Sequence, residues 1–133
     1  MANKVIKTVY GAPEKHILIA NDSYLVSLPA QVTNTGISAD SDGRKILKAG
    51  TPIYGDITKR GTAFVKASTT SGVSNATAIV LHDVDVTAGA ENATIVLAGC
   101  VDTLKLDTAT KALITSEVKT ALPRIIFVEG SAI

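Results

Sequence analysis

Apolar residues in this chain come in short runs rich in Val and Ile, each closed by Gly, Asn or Asp, and this pattern predicts strands more than helices. Runs at 46–48, 53–54, 63–67, 78–82, 84–87, 93–98, 101–106 and 124–129 are each of strand length. Earlier pieces at 5–10, 16–20 and 24–28 look extended too, separated by Gly11, Pro13, Asn21 and Asp22. Between them and the first core run, residues 33–44 (TNTGISADSDGR) are polar and full of turn formers, which predicts an exposed loop. The tract 68–75, STTSGVSN, has little bulk and is expected on the surface as a hairpin or a mobile loop.

The period changes after Asp107. Ile114, Val118, Ala121 and Leu122 stand at the spacing of one helical face, Asp107 or Thr108 is suited to cap the first turn, and Pro123 stops the helix. A single helix of about three turns is therefore expected near residues 108–122. Its β-branched residues weaken intrinsic helicity, so its stability should come from docking on the sheet. The fold class expected is mainly β (α+β), a small single domain with one C-terminal helix. Residues 1–45 are expected to form an N-terminal arm or strands plus the exposed loop, and residues 46–133 the β-rich core.

Composition narrows the possible partners. At 133 residues the chain is one domain by length and can bury a core without a disulfide or metal. Thirteen basic residues against twelve acidic ones leave a net charge of +1, so no basic field exists to attract nucleic acid. The one cysteine, Cys100, cannot pair within the chain, and its setting in LAGCV favours a buried, inert thiol and a reducing compartment. No signal-peptide core or membrane-length apolar run is present, so a soluble protein made in the cytoplasm is expected. The N-x-[ST] triplets at Asn21, Asn75 and Asn92 carry no glycosylation meaning without a secretory signal.

The strongest candidate for chemistry is His82-Asp83-Val84-Asp85. In an extended strand Asp83 and Asp85 project to one face and His82 to the other, so three ligands do not converge. As a calcium loop it fails as well: counted from Asp83, Ala88 stands where Gly is required and Thr94 where a bidentate Glu is required. GVSNA at 72–76 lacks the final glycine of a nucleophile elbow. Cys100 with His16 or His82 is a conceivable thiol and base, but no local signature supports it. Neither phosphate-binding glycine motif occurs. Tyr10, Tyr24, Tyr54, Phe64 and Phe127 are too dispersed for a stacking platform, and Lys59, Arg60 and Lys66 suit a solvated face. No catalytic, cofactor-binding or metal-binding residue is assigned, no cofactor is expected, and the protein is not expected to be an enzyme.

KAGTPI at 48–53, AIVLHDVDVTAGAENATIVLAGCVDTLKL at 78–106 and the later ALPRIIFVEG at 121–130 occur in an order that resembles the lambda-type phage head decoration family. The resemblance spans residues 48–130 and leaves the first 45 unmatched. It implies a small β-barrel or β-tulip-like core and a capsid cement protein. Such a protein binds the outside of an expanded phage head, its partner is the major capsid protein, and it often forms a homotrimer on the shell. The implied location is the virion surface after synthesis in the host cytoplasm, with no catalysis and no nucleic-acid or membrane partner. Residues 1–28 would then either add a strand to a capsid edge or belong to the domain as ordinary strands. Two other roles compete: a head-fibre base or surface-adhesion module, and a small hydrolase using His82 with Asp83 or Cys100.

Overall fold

The computed structural model of the protein describes Ile17, residues 25–59 and residues 61–129. The expected piece at 5–10 and, apart from Ile17, that at 16–20 lie outside the described residues, with most of 1–24. Ten strands and two short helices are present among the described residues, so the fold is mainly β. The strands are β1 (Val26–Val32), β2 (Ile46–Leu47), β3 (Pro52–Tyr54), β4 (Val65–Lys66), β5 (Thr69–Thr70), β6 (Val73–Ser74), β7 (Ala78–Val80), β8 (Val84–Asp85), β9 (Glu91–Asp102) and β10 (Ile125–Val128). The helices are α1 (Thr108–Leu113) and α2 (Ser116–Ala121).

The main sheet has six strands in the order β1-β9-β7-β3-β4, with β10 also paired to β9. β9 is its spine. It pairs antiparallel with β1 from Val26↔Ala98 to Val32↔Glu91 and with β7 through Ile79↔Val96, then takes β10 in parallel from Ile125↔Gly99 to Val128↔Asp102. A parallel pair needs a crossover connection, and α1 and α2 supply it. Both ends of the strand order approach each other at Phe64, which bridges Val32: Thr33 N–H donates to the Phe64 carbonyl at 2.9 Å, and Phe64 N–H donates to the Gln31 carbonyl at 2.8 Å.

β7 is buried on both faces, which explains why it reads AIV without alternation. Ala78 and Val80 join one core with Val32, Ile53, Phe64 and Ile95. Ile79 joins the other, with Val96, Val101, Leu106, Val118 and Leu122. Ile17 is fully buried in that second core, and its carbonyl accepts the Asp102 N–H at 2.9 Å.

The structure corrects three boundaries. The single helix expected near 108–122 is two helices, because Thr115 leaves helical geometry (φ −89°, ψ 173°) and its hydroxyl accepts the Val118 N–H, starting α2 afresh. The apolar face is nevertheless as expected: Val118 and Leu122 are buried, and Ile114 and Ala121 pack against the same core. Asp107 occupies the N-cap position of α1 without a side-chain cap bond. Secondly, the strands expected at 93–98 and 101–106 are one strand, β9, followed by a 3-10 turn at Thr103–Lys105. Gly99 does not end the strand because β10 begins pairing there. Thirdly, β1 runs on through Pro29 to Val32, where Pro is tolerated because it lies opposite Thr94 in the outermost strand of the order. The tract 68–75 is a hairpin: Thr70 pairs with Val73, and Ser71 (φ 52°) and Gly72 (φ 77°) both take the left-handed conformation of a two-residue turn. The loop at 33–44 holds no strand and is mostly exposed.

Candidate functional site

The segments KAGTP and HDVDVT, separated by some thirty residues of chain, form one hydrogen-bonded unit. β2 and β8 pair antiparallel, Ile46↔Asp85 and Leu47↔Val84. Lys45 N–H donates to Thr87 Oγ1 and Val86 N–H to the Lys45 carbonyl, both at 2.8 Å. Further along, Ala49 N–H donates to Asp83 Oδ1 at 2.7 Å and Gly50 N–H to the Val80 carbonyl at 2.7 Å, while Val80 N–H returns to the Thr51 carbonyl at 3.2 Å. Thr51 closes the turn by donating its hydroxyl to the Lys48 carbonyl at 2.7 Å. The third segment, GCVDTLKL, completes the unit: Leu106 packs its side chain over Gly50, whose φ of +91° and missing Cβ allow the approach. On the surface Lys48 Nζ lies 4.0 Å from Asp83 and 3.7 Å from Asp107. These pairs are well exposed and contribute little. The Asp83 bond matters more, because its donor belongs to a buried residue. Asp83→Ala should destabilise by about 1–2 kcal/mol, and a smaller loss for Asp83→Asn, measured by urea unfolding, is the accompanying expectation.

Two turns share the form Asp-x-Thr. In Asp85-Val86-Thr87 and in Asp56-Ile57-Thr58 the carboxylate accepts both the hydroxyl and the N–H of the threonine. Those hydroxyls, followed by the N–H groups, hold both carboxyls below the ordinary value of 3.8. In Asp40 the Arg44 N–H has the same effect, joined by the Asp42 N–H. For Glu117 its own N–H at the start of α2 leads, with the Thr115 hydroxyl next. Groups with lowered folded pKa values favour the folded state above their unfolded value, and that contribution disappears as pH falls through the folded value. Melting temperature should therefore be flat near neutrality and fall below about pH 4. Thr87→Val should make the acid-side fall shallower in a pH series of thermal melts; an unchanged slope would mean these turns do not carry it.

The residues singled out from the sequence are spread over the fold. His82 is half-buried just past β7, whereas Asp83 and Asp85 are exposed and engaged in the bonds above. Cys100 is half-buried rather than fully buried as expected, because it pairs with Ile126 of β10, which is 50% exposed. His82 lies beyond the Val80↔Ile95 pair, at the opposite end of β9 from Cys100, roughly 15 Å or more away at strand rise, so the two are not a thiol and base pair. His16 lies outside the described residues. Ser74 of GVSNA is buried and accepts the Ala76 N–H at 3.2 Å, the position of a structural hydroxyl. Lys59 is exposed in a turn and Lys66 half-buried on β4, while Arg60 is outside the described residues. Among the aromatics, Phe64 is fully buried, Phe127 packs on the second core and Tyr54 is 47% exposed; Tyr10 and Tyr24 are outside the described residues. Among the described residues no three His, Cys, Asp or Glu side chains converge to hold a metal ion. Nor is any described helix long and apolar enough to cross a membrane.

Sequence reasoning missed the mutual contact of KAGTP, HDVDVT and Leu106. One signal was available: a Gly between Ala and Thr-Pro, followed by a strand, marks a backbone position that needs positive φ or close approach. Compared with models of protein families and with curated protein sequences, the chain matches none.

Proposed function

We propose that this chain is a structural virion protein that binds the outside of a phage capsid and stabilises the expanded head, as the lambda-type head decoration family does. The observation that carries the reading is the contact of KAGTP, HDVDVT and GCVDTLKL in one unit through Asp83, Gly50 and Leu106. The three segments that carry the resemblance are thus one structural element of the body, as the reading requires. The chemistry agrees: the polar groups of this unit are spent on main-chain N–H groups and on turn closure, a role in holding shape rather than in turning over a substrate. The same reading takes the β1-β9-β7-β3-β4 path as a small closed barrel of the β-tulip kind, supported by the two main-chain bonds at Phe64. Its partners are the major capsid protein and two further copies of this chain on the shell.

The test uses phage heads that lack the protein. Added full-length chain should bind them saturably and raise their thermal disruption temperature; absence of both effects would overturn the proposal. His82→Ala and Cys100→Ala should leave binding intact, since the reading gives neither side chain a chemical role. The exposed Val73, 68% accessible beside the hairpin turn, favours a second reading as a surface-adhesion module. Binding to host cells with no binding to heads would select it.

A further inference from the structure

We propose that the groove between α1 and the β2–β4 wall is a docking site for an extended segment of a partner protein that carries apolar side chains flanked by carboxylates. Two hollows of about 260 and 180 Å³ adjoin there and share Lys66 and Leu113 in their walls. Ile37, Leu47 and Leu113 give the first its apolar lining, and Pro52, Ala67 and Val118 do the same for the second. An extended peptide presents alternate side chains to one side, which suits a site made of adjoining hollows.

Charge selects the occupant. Lys48 and Lys66 are in the walls, and among the described residues no carboxylate lines either hollow. Lys48 faces Asp83 and Asp107 at its outer side. Lys66 makes no ion pair among the described residues, and this half-buried lysine lines both hollows, where its charge can meet a carboxylate of the visitor. A lysine-bearing peptide would meet like charge there, and a wholly polar one would leave the apolar walls wet. The groove deepens the capsid-binding reading and rests on it only for the identity of the partner, which would then be an acidic, apolar segment of the shell protein.

The probe is a short labelled peptide alternating Asp and Leu, titrated into the full-length protein and compared with Lys-Leu and Asp-Ser peptides. Saturable binding of the Asp-Leu peptide alone is expected, weakened by added salt and perturbing the amide signals of Ala67 and Leu113. Lys66→Glu should weaken it roughly fivefold or more with an unchanged melting temperature, and Lys119→Glu, which reverses an exposed charge on α2 outside the groove, should leave it unaltered. No binding, equal binding of the control peptides, or indifference to Lys66→Glu would overturn the groove. Heads lacking the protein separate the two proposals. Weaker head binding by the Lys66→Glu protein supports the shell as partner. Loss of peptide binding with head binding intact keeps the groove and removes the shell from it, and peptide binding by a protein that never binds heads overturns the capsid reading alone.

Discussion

Gly50→Ala should lower the melting temperature by roughly 10 °C, the effect of a loss of about 2–4 kcal/mol in a chain of this size. Two costs combine. At φ +91° any side chain is strained, and a Cβ would overlap the Leu106 side chain. Leu106 is itself only 7% exposed and held among Ile17, Ala49 and Val118, so it has little room to withdraw. Leu106→Ala alone leaves a cavity and costs about 2–5 kcal/mol. The double variant should be clearly less destabilised than the two losses added, because the overlap vanishes with the leucine. Additive losses in urea unfolding would mean that Gly50 and Leu106 are not in contact and that the three-segment unit is wrong.

The largest single loss is expected for Phe64→Ala, about 3–5 kcal/mol. Phe64 is fully buried in the first core and is the residue at which the two ends of the strand order meet. Its ring lies flat on Gly55, where an added Cβ would fall 2.6 Å from ring carbons. Truncation should therefore do more than lower global stability. Hydrogen exchange at the Thr33 and Phe64 amides, which hold the two ends together, should lose protection ahead of the β7 and β9 amides. Gly55→Ala should be strongly destabilising in the parent and nearly harmless beside Phe64→Ala. Retained protection at Thr33 and Phe64 in the truncated variant would show that the ends are held by something other than this side chain.

Local rules carried much of the fold. Alternation and branching marked the runs that became β3, β7, β8, β9 and β10, and the turn formers of 68–75 suited the β5–β6 hairpin as one of two alternatives, because both depend on properties a few residues long. The helical face Ile114, Val118, Ala121 and Leu122 was legible for the same reason. Its break was not. Thr115 could as well have continued the helix, and only the Val118 N–H it captures decides that α2 begins anew. Gly99 shows the same limit: a glycine that reads as a strand end becomes strand interior once β10, more than twenty residues later, pairs across it. The pairing of β1 with β9 and the docking of Ile17 on Asp102 are likewise long-range facts with no local mark.

At the site, the part each residue plays was only partly legible. The opposed projection expected of His82 and Asp83 assumed an extended strand, whereas both fall in the connection between β7 and β8. What Asp83 does instead, holding the Ala49 N–H, depends on a turn more than thirty residues earlier in the chain, a contact set by tertiary packing. The burial of Cys100 was misjudged because LAGCV lies on the spine strand, yet its neighbour Ile126 leaves that face half open.

The central claim, that this body exists to hold a phage shell together, is tested most directly by the thermal disruption of heads lacking the protein, with and without saturating full-length chain. The account predicts saturable occupancy and a higher disruption temperature with the parent protein, and smaller increases with Gly50→Ala and Phe64→Ala as their folded fractions decline. Heads that neither bind the folded parent protein nor gain stability from it would contradict the account.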